Sequence, residues 1–168
     1  SDGCHDYFED MDDDNDRFGQ AVSINGDGTR IAVSSMNNDD STSNGGKLQV
    51  YQYSNGQWSK LGNDMLGWQS NAYLGADVRI NYYGTRIVGS SHYDSTGNGD
   101  RRGTTAAYEY DETTATWSQL GTYFGSGAYK TEYAGNMGEI AINKNTDSSL
   151  DGKYVVCGSD GYDTRASN

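Results

Sequence analysis

The chain has 168 residues, enough for one ordinary hydrophobic core, and only 33% of them are hydrophobic. The net charge of -12 is unevenly spread: residues 1–16 hold eight acids and no Lys or Arg, while the other 152 hold 16 acids against 12 bases. An acidic chain without a basic stripe is repelled by phosphate, which argues against nucleic acid and anionic membrane as partners, and no apolar run reaches the roughly 18 residues that span a bilayer.

The N-terminal stretch "SDGCHDYFEDMDDDND" comes first. Asp10, Asp12, Asp14 and Asp16 alternate, so an extended chain points all four the same way. A hard cation such as calcium would relieve their repulsion; the other reading is a solvated acidic run. The EF-hand template fails here, because Gly is absent at the sixth position and no Glu closes the loop. The chain opens on Ser1, as a processed or excerpted sequence does. Cys4 and Cys157 are its two cysteines and are the candidates for one disulfide; the alternative is a buried thiol at Cys157.

From residue 18 the chain repeats itself. "FGQAVSINGDGTRIAVSS" at 18–35 returns as "LGADVRINYYGTRIVGSS" at 74–91, with Gly19, Val22, Ile24, Asn25, Gly28, Thr29, Arg30 and Ile31 each matched 56 positions later. "LQVYQYSNGQWSKLG" then aligns with "TAAYEYDETTATWSQLG", placing Tyr51 on Tyr108 and Trp58 on Trp117. Repetition on this scale marks a supersecondary unit that buries its faces against its neighbours. Each half-repeat alternates in period two around a Gly- or Asn-rich turn, so each is a hairpin. The chain has 23 Gly and no Pro, and Gly, Asn and Asp supply its turns. In "LQVYQY", Leu48, Val50 and Gln52 fall on one face and Gln49, Tyr51 and Tyr53 on the other, both partly covered. The link "MNNDDSTSNGGK" reads as polar and surface-exposed.

The third copy is partial. "GEIAIN" at 138–143 matches the first strand, "KNTDSSLDG" replaces the tight turn, and "KYVVCGSD" at 153–160 matches the second strand. The expected fold is therefore all-β, built of four-stranded antiparallel blades of about 56 residues in a β-propeller-like stack with two full blades and part of a third. The acidic segment occupies 1–16 and the repeat domain 17–168, divided into 17–67, 73–125 and 134–168.

These words resemble the repeats of secreted FG-GAP-like, integrin-α-type β-propellers. The resemblance rests on the Phe-Gly opening, the "DGTRIAV" hairpin and the "VYQY" and "W..LG" closing, and covers roughly residues 17–160. It implies extracellular adhesion or scaffold work. Integrin-type blades often carry a calcium loop between their first two strands, but "SINGDGTRI" has Ser23 in place of an opening Asp and "INYYGTRI" lacks Asp27 as well, so both read as turns.

Enzyme motifs are absent: the histidines His5 and His92 are far apart, and no GxSxG, HExxH or phosphate-cradling loop occurs. Trp58, Trp117, Tyr51 and Tyr108 are expected to pack blade on blade. The function expected is a secreted, non-enzymatic structural or adhesive protein. It would pack against other copies of itself, in an oligomer or filament, or against other extracellular proteins. The alternatives are a lectin-like glycan-binding module using link tyrosines and acids, with or without calcium, and a glycoside hydrolase with two facing carboxylates on a propeller scaffold.

Overall fold

The computed structural model describes residues 15–94, 102–123 and 140–157. All its regular structure is antiparallel β. Blade 1 consists of β1 (Phe18–Ile24), β2 (Arg30–Ser35), β3 (Lys47–Ser54) and β4 (Gln57–Lys60), hydrogen-bonded in that order, with the two-residue β5 (Met65–Leu66) added along β3. Blade 2 repeats the order with β6 (Leu74–Ile80), β7 (Arg86–Asp94), β8 (Arg102–Asp111) and β9 (Thr116–Gln119). In the third unit β10 (Ile140–Ile142) pairs with β11 (Val155–Cys157). These are propeller-like blades, and among the described residues they do not close into a ring.

The turns follow from the residues at them. Asn55 (φ 52°) and Gly56 (φ 84°) form the two-residue loop between β3 and β4, where positive φ at both positions matches the strand twist. The first hairpin of every blade is locked by an asparagine. Asn25 Oδ1 accepts from Arg30 N (2.9 Å), Asn81 Oδ1 from Thr85 N and Arg86 N (both 2.8 Å), and Asn143 Oδ1 from Tyr154 N (2.7 Å). In each case the asparagine's own N–H donates to the carbonyl of the residue closing the hairpin, at 3.0 Å.

Both inner strands carry a bulge, between Phe18 and Val22 in β1 and between Leu74 and Val78 in β6. A bulge leaves an amide without a ladder partner. The repeated "SS" at the end of the second strand repairs this: Ser34 Oγ accepts from Ala21 N and Ser90 Oγ from Asp77 N, both at 3.0 Å.

Blades stack face to face. The front of blade 1 presents Ala32, Leu48 and Val50; these bury against Val78, Ile80 and Ile87 on the rear of blade 2, all fully inaccessible to solvent. Val88 on the front of blade 2 packs in turn on Ile140 and Ile142 of the third unit. Each such aliphatic side chain contributes about 1.5–3 kcal/mol of transfer free energy. Both faces of β3 are covered, Leu48 and Val50 on one and Gln49 and Tyr51 on the other.

The link 36–46 is exposed as expected at Asp39, Asp40, Ser41 and Ser43, but its ends are covered. Met36, Asn38 and the following Lys47 are buried; Asn38 Nδ2 donates to Asp16 Oδ2 (2.7 Å) and Lys47 Nζ is paired with Asp40 (3.0 Å), which satisfies the two polar side chains. Polar side chains here act as the link's own core.

Candidate functional site

The chemistry-bearing side chains gather at the seams between blades, on the side of the first-hairpin turns. At the first seam the Arg30 stem crosses the face of Gly84: a Cβ on that glycine would lie 2.6 Å from Arg30 Cδ, and its φ is +70°. Arg30 Nη1 donates to Gly84 O (3.2 Å), Nη2 to Glu112 Oε1 (2.8 Å), and the guanidinium lies 5.4 Å from the Tyr110 ring centre. Gly26 N donates to Tyr82 O (2.8 Å), and Ser23 Oγ accepts from Ile80 N (3.2 Å). At the outer edge, Trp117 Nε1 donates to Leu61 O (2.8 Å) and its backbone N–H to Asn63 Oδ1 (2.7 Å), so the exit link of blade 1 closes over blade 2.

The second seam repeats the arginine. Arg86 lies against Gly152, donates to Asp151 O (3.3 Å) and pairs with Glu109 (2.7 Å). The longer turn of the third unit adds a brace: the buried Asp151 carboxylate accepts from Tyr82 N (3.0 Å), Tyr83 N (2.9 Å) and Asn145 N (3.0 Å). Tyr83 donates its hydroxyl to Thr146 O (2.5 Å), Asp77 Oδ2 accepts from Ile140 N (3.1 Å), and Lys144 Nζ reaches past blade 2 to Ile24 O of blade 1 (2.7 Å).

Between the seams opens a cleft of about 560 Å³ lined by Arg30, Arg86, Tyr83, Tyr110, Glu109 and Glu112, with Asp27 and Asp151 at its margin. Its charges are largely answered internally: two arginines take two glutamates, and Asp151 takes three amides. The Thr29 hydroxyl and N–H hold the Asp27 carboxyl below the usual carboxylate range. The same short turn, with the same effect on the acid, recurs at Asp147 with Ser149.

Of the residues singled out in the sequence, Asp10, Asp12, Asp14 and Cys4 lie outside the described residues. Asp16 is buried on Asn38, away from the cleft lining. Cys157 is half-buried, its thiol 3.4 Å from Thr105 Oγ1. Among the described residues no three His, Cys, Asp or Glu side chains gather in a metal-binding group. Tyr51 meets the Phe18 ring edge-on at 6.4 Å, and Tyr108 is buried in the shared core, where burial pushes its phenol pKa up. Trp117 is buried on the blade 1 link, whereas its counterpart Trp58 is half-buried against Tyr53 (5.2 Å between ring centres). Sequence reasoning missed Arg30, Arg86 and Asp151. A signal for the arginines was present: each closes the matched Gly-Thr-Arg, and Arg30 and Arg86 recur at the 56-residue spacing.

Residues 12–51 match the family model of the FG-GAP repeat, a segment that takes in β1, β2 and the first half of β3. No curated protein matches the chain.

Proposed function

We propose that this FG-GAP-like repeat protein is an extracellular structural or adhesive module that works by packing β-blades against protein surfaces and does no catalysis. FG-GAP repeats typically occur in extracellular proteins, which supports that location. The observation that carries the reading is the repeated seam. Apolar strand faces, reinforced by an arginine laid over a glycine, join one blade to the next, and the same kinds of residue continue onto exposed faces at Val22, Ile24 and Val156. Surfaces of this composition bury well against protein.

The state of the cleft acids also supports a non-catalytic role. A carboxyl that acts as general acid or nucleophile has to be free to meet the substrate. Glu109 and Glu112 are held by arginines, Asp151 by amides and Asp27 by a threonine. The acidic residues before Asp16, among them Asp10, Asp12 and Asp14, would add charge- or calcium-dependent contacts to the packing surface. The cleft favours one second reading: Tyr83 and Tyr110 beside acids and arginines are the groups a glycan site uses, as in a lectin-like module.

One pair of measurements separates the two. Beads coated with the chain should cluster, or bind surfaces coated with extracellular proteins, while a glycan array stays blank with and without chelator. Strong chelator-sensitive glycan binding without bead adhesion would replace the packing reading with the lectin one.

A further inference from the structure

Asparagine followed by glycine is open to a spontaneous backbone rearrangement, because glycine has no Cβ to hinder the approach of its own nitrogen to the asparagine side chain. Three such pairs, Asn25-Gly26, Asn44-Gly45 and Asn55-Gly56, fall among the described residues, and Asn98-Gly99 lies outside them. The fold treats the three unequally. Asn25 is buried, its Oδ1 accepts from Arg30 N (2.9 Å), the Gly26 N–H donates to Tyr82 O of the next blade (2.8 Å), and the Tyr82 ring lies on the face of Gly26. Asn44 is half-buried: its Nδ2 donates to Asn71 Oδ1 (3.2 Å), its carbonyl accepts from Tyr73 N (3.0 Å), and the buried Gly45 donates its N–H to Thr42 O (2.9 Å).

Asn55 differs at each of these points. It and Gly56 are exposed at the tip of the β3–β4 hairpin, and nothing lies within 4 Å of where a Cβ on Gly56 would sit. Among the described residues, neither the Asn55 side chain nor the Gly56 N–H has a hydrogen-bond partner. The strand that follows, β4, is four residues long and is the outer strand of blade 1, hydrogen-bonded to β3.

We infer that Asn55 is a covalent modification site, the described asparagine at which the folded chain deamidates, with water as the reagent. The Gly56 nitrogen attacks Asn55 Cγ; the new N–C bond forms as the side-chain amide leaves, and the Gly56 amide proton departs with it as ammonia. A succinimide ring results, which water opens. Breaking the bond from the Gly56 nitrogen to the Asn55 main-chain carbonyl carbon gives isoaspartate, and breaking the bond to Cγ gives aspartate, so one water enters and one ammonia leaves. In the left-handed conformation of Asn55 (φ 52°) the Gly56 nitrogen is turned away from Cγ, so the ring closes only when the hairpin tip opens. That opening breaks no bond to another blade, whereas at Asn25 it breaks the contact to Tyr82. The isoaspartyl product routes the main chain through Cβ and Cγ. It lengthens a two-residue turn whose length sets the pairing of Tyr53 with Trp58, and it leaves a carboxylate where an amide stood, so β4 loosens.

Ageing the full 168-residue chain tests this. The folded protein is held in mildly alkaline buffer at physiological temperature, and peptide mapping by mass spectrometry follows the amide-to-acid conversion at each asparagine. Conversion at Asn55 should run about tenfold or more faster than at Asn25 and Asn44, the factor that about 1.4 kcal/mol of extra opening free energy supplies. In the urea-unfolded chain the three rates should converge, since only the fold distinguishes them. Equal rates in the folded chain, or faster loss at Asn25 or Asn44, overturn the inference. So does a spread in urea as wide as in the folded chain, which would assign the order to sequence neighbours. The consequence is read separately by amide exchange at Trp58 and Ser59. Exchange there should quicken in the isoaspartyl form and stay unchanged in Asn55→Asp, which carries the charge without the longer turn. Equal exchange in the two forms overturns the claim that the lengthened turn loosens β4.

Discussion

The side chain of Arg30 lies across Gly84, 54 residues further along the chain, and donates to that glycine's carbonyl at 3.2 Å. The contact couples a backbone requirement to a packing one, since Gly84 needs both positive φ and an unoccupied Cβ site. Gly84→Ala should therefore cost about 2–4 kcal/mol, combining left-handed strain with displacement of the arginine. Gly28→Ala carries the strain without the crowding and should cost only about 1–2 kcal/mol. Urea melts of the two variants measure the difference, and equal losses would mean that the seam contact adds nothing.

Trp117 and Trp58 occupy equivalent strand positions with unequal cover. Trp117→Ala should destabilise by about 3–5 kcal/mol, as expected for a buried tryptophan that also donates a hydrogen bond. Trp58→Ala should cost about 1–2 kcal/mol, because its indole is already half in water. Thermal melts of both variants check the order.

The hairpin asparagines are predicted to matter more than their small size suggests. Asn81→Ala removes an acceptor serving two backbone N–H groups and should cost about 2–3 kcal/mol. Faster amide exchange at Thr85 and Arg86, compared with Thr29 and Arg30 in the same variant, would localise the damage to blade 2.

The Asp40–Lys47 pair predicts a pH dependence. The Lys47 ammonium, donating to Asp40, holds that carboxyl below its usual range. Its contribution to stability is present above the unfolded-chain value near pH 4 and is lost as pH falls through the lower folded value. The difference in Tm between the unmodified chain and Asp40→Asn should thus be largest near neutrality and shrink below about pH 4. Because the Asp40 side chain is half exposed, added salt should shrink it as well.

The repeat, its four short strands and the faces of β3 were legible in the sequence, because period-two alternation and identical spacing report directly on strand faces and blade size. The FG-GAP resemblance was legible from the same words. The extra strand β5 was not, since Met65 and Leu66 carry no alternation long enough to read. Nor was the burial of Asn38 and Lys47, which depends on Asp16 and Asp40 meeting them in space. Asp151 looked like one acid in a lengthened turn; its role arises only because that turn folds back onto the Tyr82 and Tyr83 amides. Local pattern reports which way a side chain points, whereas its partner across a seam depends on how blades are juxtaposed.

The hydrogen bond from Lys144 to Ile24 O carries a consequence for cooperativity. In a strictly linear stack, loss of order in one unit reaches only its immediate neighbour, and end units fray independently. Here the first and third units share a bond that bypasses the second, so their fraying is thermodynamically linked. Loosening β1 withdraws an acceptor from the turn between β10 and β11, so opening one end of the stack favours opening the other by up to the worth of that one bond, about 1 kcal/mol.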